Sequence, residues 1–211
     1  MVWHQPSNRE KFLEKNLKDL CPGKRVLDFC CGSGMNGIDA LRWGASHVTF
    51  TDVRRKTFED HCENSKILSE DNHQWIFVNA NDIESCYESI NLKNIDIIIY
   101  HGHFYHANNH TAIIKMFSES SAEYIVFETK GLYSEHANVF WHSEESSSIW
   151  NVYSDNNAHE LVGAPTSGFC AYVFEYYGFE AIDNLIQDWG HREEDAPITQ
   201  IRTMYKRIRS R

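Results

Sequence analysis

Short apolar runs alternate with amphipathic stretches along the first part of the chain, up to about residue 130. The five runs that predict strands are Arg25–Phe29, His47–Thr51, Trp75–Val78, Ile95–Tyr100 and Tyr124–Glu128. Of these, Ile95–Tyr100 is almost continuously apolar, which is typical of a central parallel strand. The stretches with helical spacing are Asn36–Trp43, Arg55–Leu68, Ile83–Ile90 and Thr111–Phe117. This alternation predicts an α/β fold with a Rossmann-like, doubly wound, mostly parallel sheet.

The regular pattern stops at Lys130. Residues 130–165 are rich in Ser, Asn, His and aromatic residues without clean periodicity, which predicts an irregular lid or insertion. A helix is expected at Ser167–Tyr177, and Glu180–Asp188 and Thr199–Ile208 predict a closing pair of strands. We therefore expect one domain over residues 1–211, with a seven-stranded sheet whose final strand is antiparallel.

Composition narrows the possible functions. The net charge is −10, whereas general nucleic-acid binders carry the opposite bias, although the chain end at Lys206, Arg207, Arg209 and Arg211 is locally basic. No apolar run is long enough to span a bilayer, and the polar first twenty residues do not indicate a signal peptide. The six cysteines show no paired metal-ligand spacing, so we expect a reduced, cytoplasmic protein without a metal site.

A glycine-bearing segment follows the first predicted strand and precedes a helix. Its sequence is Asp28-Phe29-Cys30-Cys31-Gly32-Ser33-Gly34, and glycines at such a position let the backbone approach a nucleotide closely. Asp52 ends the second strand, where a carboxylate can accept hydrogen bonds from ribose hydroxyls. Asp82 and Ile83 follow the third strand, where they can meet an adenine ring. The G-x-G-x-x-G spacing of nicotinamide-binding proteins is not completed, so NAD is disfavoured.

These segments carry a family resemblance. VLDFCCGSG followed by TFTDV resembles the first two motifs of class I S-adenosylmethionine-dependent methyltransferases, with Cys30 in place of the first glycine. The resemblance implies S-adenosylmethionine as the cofactor. Of the two histidines at the end of the fourth strand, His101 and His103, His101 is favoured for contact with the cofactor. The cofactor-binding residues implied are Asp28, Cys30, Gly32, Gly34, Asp52, Asp82, Ile83 and His101.

A weaker resemblance concerns the second half of the chain. The segment YHGHFYH at 100–106 is similar to part of the wobble-uridine tRNA (carboxy)methyltransferase-like branch, as are Ala164–Phe179 and Thr199–Met204. It implies that Tyr105 and His106 lie near the sulfonium and the substrate, and these are our candidate catalytic residues. Arg202 is a candidate for an anionic group on cofactor or substrate, because a guanidinium suits such a group.

The predicted reaction is methyl transfer to a small molecule or a nucleoside, with His106 removing the acceptor's proton and His101 in reserve. Trp141, with other aromatic residues of the irregular segment, is a candidate for stacking on the acceptor. Glu128 is either a base or a structural hydrogen-bond acceptor. Three alternatives stay open: a tRNA wobble-uridine (carboxy)methyltransferase-like enzyme, disfavoured by the acidic charge; a non-catalytic S-adenosylmethionine-binding protein; and another enzyme that uses this cofactor, for carboxymethyl transfer or by degrading it.

Overall fold

Nine strands and six α-helices are found in the computed structural model, which describes residues 8–63, 65–145, 159–188 and 198–208. The strands are β1 (Arg25–Phe29), β2 (His47–Asp52), β3 (His73–Phe77), β4 (Ile97–His101), β5 (Tyr124–Leu132), β6 (Val139–Glu145), β7 (His159–Pro165), β8 (Phe179–Asp188) and β9 (Ile198–Arg207). The helices are α1 (Asn8–Leu17), α2 (Met35–Arg42), α3 (Arg55–Phe58), α4 (Ile83–Ser89), α5 (His110–Glu119) and α6 (Ser167–Tyr176).

Seven of these strands form one sheet in the order β3-β2-β1-β4-β5-β9-β8. Strands β1 to β5 are parallel, and β9 is inserted antiparallel between β5 and β8. The predicted α/β class, the seven-stranded sheet and the final antiparallel strand are therefore confirmed. The chain reverses its direction of winding between β1 and β4, and a crevice for a ligand is expected outside the carboxyl ends of these two strands.

Apolar layers cover both faces of the sheet. On one face, Phe29 packs edge-on against Tyr100 and Phe117 with ring centroids 5.3 Å apart in each pair. On the other, the buried residues of α1 and α2 pack on β1, β2 and β4. Burial on both faces explains why β4 reads as a continuous apolar run. No described helix combines the length and apolar character that crossing a membrane would require.

Two helices differ from the sequence prediction. Helix α1 was not expected from the sequence. Its buried residues are Phe12, Leu13 and Leu17, and three apolar residues are too few to produce a clear helical pattern in a charged segment. The helix expected over Arg55–Leu68 is shorter, since α3 ends at Phe58 and continues only as a π-helical turn through Glu63. Further along, the Ser69 amide donates to the Asn72 side chain (2.9 Å), which closes a turn before β3.

The segment predicted to be irregular contains regular structure. Strand β5 extends to Leu132, and β6 and β7 form a separate antiparallel ribbon in which Trp141 lies opposite Gly163. The ribbon is attached to the loop after β4, because the Gly163 amide donates to the Ala107 carbonyl (3.2 Å) and its carbonyl contacts His110 Nε2 (2.9 Å). The polar and charged residues in β6 interrupt the alternation of apolar and polar residues by which a strand is predicted from sequence. Residues 146–158, also part of that prediction, lie outside the described residues.

Gly37 allows α2 to lie close to the sheet. A Cβ at this position would lie 2.3 Å from Phe50 Cε1 and 2.9 Å from Val48 Cγ1. We expect Gly37→Ala to destabilise the protein by about 1–3 kcal/mol despite alanine's better helix propensity, because these core side chains would have to shift. Urea unfolding would measure the change, with Asn36→Ala on the same helix as the control. Equal stability of the Gly37 variant and the wild type would contradict this account.

Candidate functional site

The turn after β1 has a left-handed backbone at three positions. Gly32 and Gly34 have φ values of 56° and 77°, which glycine adopts without strain. Cys30 has a φ of 56° and, among the residues described, is the one non-glycine residue with a positive φ. Such a conformation costs a side-chain-bearing residue some strain, and strained positions of this kind concentrate at ligand sites. The class I methyltransferase motif that this segment resembles has a glycine at this position, and a glycine would avoid the strain that Cys30 carries.

Asp52, at the end of β2, is bonded to this turn. Its Oδ2 accepts a hydrogen bond from the Gly32 amide (2.8 Å), and its Oδ1 accepts from the Val53 and Arg54 amides (2.8 and 2.9 Å). The Arg54 guanidinium lies on the same carboxylate, with Nε 3.0 Å from Oδ1. Burial alone would raise the pKa of Asp52, but the bonds and charge of Arg54 outweigh it and hold the pKa below its usual value. Asp52 is therefore an anion at neutral pH, next to the turn.

Asp28 is buried beneath the same turn. Its Oδ2 accepts a hydrogen bond from the Gly37 amide (2.8 Å), which fixes the start of α2, while its Oδ1 has no hydrogen-bond partner among the described residues. Burial, opposed by the Gly37 bond and reinforced by the charge of Asp52, raises the pKa of Asp28 to about 7. A buried oxygen without a partner at this place suits a ligand that donates a hydrogen bond.

The raised pKa of Asp28 predicts a pH-dependent stability. Because the folded state holds this proton more tightly than the unfolded state, the stabilising contribution is lost as the pH rises from about 4 to about 7. Between pH 5 and 7.5 the loss should be about 2–3 kcal/mol, and Asp28→Asn should remove it. Urea unfolding of both proteins at the two pH values would measure the difference. The same pH dependence in both proteins would show that Asp28 does not titrate in this range.

The loop after β3 contributes polar groups further along the crevice. Asp82 caps α4 by accepting a hydrogen bond from the Ser85 amide (3.1 Å), and its side chain is exposed. Ile83 is half-buried against the core. Asn81 accepts a hydrogen bond from the Asn108 amide (3.2 Å), which joins this loop to the loop after β4. The positions of Asp82 and Ile83 are compatible with the predicted contact to an adenine ring, which stays a prediction.

His101, the last residue of β4, and His103, two residues further on, lie in different surroundings. The charges that influence the pKa of His101 after burial are those of Glu128, Arg9 and Arg202, and the pKa is lowered to about 4. His103 contacts the Tyr100 hydroxyl through Nδ1 (2.9 Å). Burial lowers the pKa of His103 to about 3, with His106 and then Asp52 as the next influences. The charge of Asp52 thus influences His103 and that of Glu128 influences His101, and the predicted contact of His101 with the cofactor stays a prediction.

The candidate catalytic residues lie together in a short 3₁₀ turn at Phe104–His106. The rings of Tyr105 and His106 are 3.9 Å apart at their centroids, and His106 is buried. Lys130 Nζ lies 5.1 Å from the centre of the Tyr105 ring. The turn begins beyond Gly102, whose φ of 76° ends β4 and redirects the chain. Both candidates are therefore held next to the ends of β4 and β5, and their catalytic role stays a prediction.

Arg202 and Trp141, the predicted substrate residues, lie in dissimilar positions. Arg202 is buried in the sheet, donates to Glu128 Oε2 (2.5 Å) and to Gln187 Oε1 (2.6 Å), and also bonds to Gln200. These bonds hold Glu128 in place. They agree with a structural role for this carboxylate, which was the alternative to a role as a base. Trp141 is half-exposed on the ribbon, 5.7 Å from the His110 ring.

Three residues of this region were not singled out from the sequence as site residues: Arg9, Arg54 and His103. Arg9 reaches from α1 to bond to Glu128, and its charge weakly opposes the rise in the pKa of Asp28. No local pattern marks Arg9, because its partner lies 119 residues away. Arg54 directly follows the Asp52 motif, so its position two residues after a strand-end carboxylate was the available signal.

Residues 9–155 match the family model described as conserved hypothetical protein 95, which covers more than half of the chain. The chain belongs to this family. A short segment of this family member is also 46% identical, over 44 residues, to the ribosomal protein L11 methyltransferase of Hahella chejuensis. That segment is 21% of the chain and 15% of the L11 methyltransferase.

Several solved structures have the same fold as this member of the conserved hypothetical protein 95 family. The N-terminal domain of EvdMO1, crystallised in the presence of SAH and D-fucose, matches 99% of the chain and 85% of its own length with a TM-score of 0.67 and 15% identity. An S-adenosylmethionine-dependent methyltransferase from Mesorhizobium loti matches 95% and 98% of the two chains, with a TM-score of 0.64 and 12% identity. The resemblance to class I S-adenosylmethionine-dependent methyltransferases is thus confirmed at the level of the fold.

Proposed function

We propose that the protein is an S-adenosylmethionine-dependent methyltransferase whose cofactor binds at the turn after β1. The observation that carries the proposal is the Asp52 carboxylate, which is bonded to the Gly32 amide at the carboxyl ends of two adjacent parallel strands. An anion at this position is suited to accept hydrogen bonds from both ribose hydroxyls. The solved structures that share the fold support the choice of cofactor, since one was crystallised in the presence of SAH and another is an S-adenosylmethionine-dependent methyltransferase.

The residues of the turn fit this cofactor. Asp28 Oδ1 is buried without a partner among the described residues, and a cofactor ammonium or hydroxyl group can donate to it. At Gly32, the nearest atom to an added Cβ is an Arg54 guanidinium nitrogen at 3.4 Å, so a flexible side chain covers the turn. For a ribose to reach Asp52, Arg54 has to move aside. The amides of Val53 and Arg54 and that of Gly32 still hold the carboxylate when it does.

The side chains after β4 perform the proton transfer in this proposal. When bound, S-adenosylmethionine supplies a methyl group that is already activated by the positive sulfur. The chain therefore has to orient the acceptor, exclude water and remove one proton. Burial keeps the imidazoles of His101 and His103 neutral at pH 7. His106, held against Tyr105, accepts the proton from an acceptor hydroxyl or amine.

The proposed acceptor is a small molecule or a nucleoside. The net charge of −10 does not favour the phosphate backbone of tRNA, which stays the alternative acceptor. Incubation with methyl-labelled S-adenosylmethionine alone, and then with pools of candidate acceptors, tests the proposal. Formation of S-adenosylhomocysteine only with an acceptor supports it. Breakdown without an acceptor indicates a cofactor-degrading enzyme, and binding without turnover in any pool indicates a non-catalytic protein.

The proton-transfer role of His106 gives a separate prediction. We expect His106→Ala to lower kcat about 100- to 10,000-fold, which is the usual contribution of a positioned base, while cofactor affinity changes little. Calorimetry with S-adenosylhomocysteine and steady-state kinetics would separate the two effects. His61→Ala, an exposed histidine on the π-helical turn, is the control. An unchanged kcat in the His106 variant would assign the proton transfer to another group.

A further inference from the structure

Four polar side chains lie together where β4 ends, beside the middle of β5 and of β9. They are Arg9, His101, Glu128 and Arg202, called here the Glu128 cluster. His101 lies beside Glu128 in the register of β4 and β5, and Glu128 lies beside Arg202 in the register of β5 and β9. Residues paired directly across strands project from the same face of a sheet. Arg9 joins them from α1, which packs on that face.

The two arginines of the Glu128 cluster differ in their freedom to meet a ligand. Arg202 is 4% exposed and is held by bonds to Glu128, Gln187 and Gln200. The Arg9 side chain is 41% exposed and bonds to the same carboxylate. When Arg9 turns away, Glu128 still accepts the hydrogen bond from Arg202, so the movement does not leave a buried carboxylate unpaired. Arg9 is therefore the cation that a ligand can engage.

His101 provides an independent sign of a missing ligand. Its side chain is 7% exposed, and neither ring nitrogen has a hydrogen-bond partner in the described part of the chain. Buried polar atoms are almost always paired in folded proteins, so the two nitrogens indicate a partner that the chain itself does not supply. The neutral imidazole offers one N–H donor and one acceptor.

The space beside these two residues is lined by backbone and by positive charge. At Gly102, which directly follows His101, the nearest atom to an added Cβ is Arg9 Nη2 at 3.8 Å, so no side chain separates the guanidinium from the turn. Lys130 lies two residues after Glu128 on β5 and therefore projects from the same face. Arg9 and Arg202 thus bond to the Glu128 carboxylate, and Lys130 lies on the same face of β5, in a chain whose net charge is −10.

We propose that Arg9 and His101 bind an anionic group, a carboxylate or a phosphate, on the methyl acceptor. This proposal rests on the methyltransferase function proposed above and narrows its acceptor to a small organic acid or phosphate ester. The Glu128 cluster lies on β4, β5 and β9, whereas Asp52 and the glycine turn lie on β1 and β2. A group held in the cluster is therefore next to the cofactor turn rather than within it. The guanidinium fork matches two oxygens of either anion.

An anion titration tests the proposal directly. Propionate and inorganic phosphate are each added to the protein saturated with S-adenosylhomocysteine, and binding is followed by the NMR signals of the His101 ring. We expect both anions to shift the His101 signals. Neutral propionamide should not bind, because the affinity depends on the negative charge. Arg9→Gln should weaken anion binding at least about tenfold. The tighter of the two anions shows whether a carboxylate or a phosphate is the natural group.

The matched control is Lys15→Gln. Lys15 lies on the same helix and forms an ion pair with Asp183 on β8 (2.8 Å), away from His101. Anion affinity should stay within about twofold of the wild type in this variant. Equal binding of propionate and propionamide, or unchanged anion affinity in Arg9→Gln, would overturn the proposal. Thermal unfolding of each variant checks that it is folded.

The cofactor's own carboxylate is the competing occupant of this site. Arg9→Gln should leave the affinities for S-adenosylhomocysteine and for 5′-methylthioadenosine unchanged, because the second ligand lacks the amino-acid group of the first. Loss of affinity for S-adenosylhomocysteine alone would overturn the acceptor proposal and assign Arg9 to the cofactor. If the wild type binds neither nucleoside, the proposed function fails, and titration of the ligand-free protein still decides whether Arg9 binds anions.

Discussion

Replacing Asp52 with alanine should lower the affinity for S-adenosylmethionine about a hundredfold or more. The change removes a charged acceptor for two hydroxyl groups, and each hydrogen bond to a charged group contributes about 1.5–3 kcal/mol. It also frees the Gly32 amide, which donates to this carboxylate at 2.8 Å and helps to shape the turn. Calorimetry with S-adenosylmethionine and with S-adenosylhomocysteine would measure the loss.

Two further variants make the Asp52 result interpretable. Asp52→Asn keeps acceptor capacity at one oxygen and should fall between the wild type and Asp52→Ala. Asp39→Ala removes an acidic residue of α2 that pairs with Arg42 (2.7 Å), so cofactor affinity should not change. Unchanged affinity in a folded Asp52→Ala protein would show that the ribose does not lie at the end of β2.

Replacing Glu128 with alanine should destabilise the fold by about 3–5 kcal/mol. Glu128 is 1% exposed and accepts hydrogen bonds from Arg9 and Arg202, and removing one partner of a buried ion pair leaves the other without compensation. Arg202, itself 4% exposed, cannot turn to water without disrupting the sheet. The midpoint and slope of guanidinium unfolding would give the change in the free energy of unfolding.

Glu119→Ala is the matched control for Glu128. Glu119 also accepts from a basic side chain, Lys115, but the pair is exposed on α5, where such pairs contribute little. We expect a change below about 1 kcal/mol for this variant. Equal effects of the two substitutions would mean that water reaches Arg202 in the Glu128 variant.

The strands of the cofactor half could be predicted from the sequence because their signals are local. Strand β1 matches its predicted bounds and β2 differs by one residue, since each is a short apolar run with an aspartate at its end or one position before it. Helix α1 and the β6–β7 ribbon could not be predicted in this way. Their positions depend on contacts with distant parts of the chain, such as the bond between the Gly163 amide and the Ala107 carbonyl.

The candidate site also has one part that a local motif predicts and another that depends on contacts between distant residues. The glycine turn and Asp52 follow from a motif within one segment, whereas the Arg9–Glu128 bond joins residues 119 positions apart. In a continuous strand, His101 and His103 would project from the same face, because they are two residues apart. Gly102, with a φ of 76°, ends the extended backbone between them, so the two histidines lie in different surroundings, which the sequence alone does not predict.

The antiparallel insertion of β9 between β5 and β8 has a consequence for biosynthesis. Strand β9 is translated after all the other strands of the sheet, yet it occupies an interior position. Until it is available, β5 presents an unpaired edge and Glu128 lacks its bond to Arg202. A ribosome-bound chain that ends before Ile198 therefore carries the complete glycine turn and Asp52, but it exposes a sheet edge that invites pairing with other chains. The nascent protein should depend on chaperones most strongly in this interval.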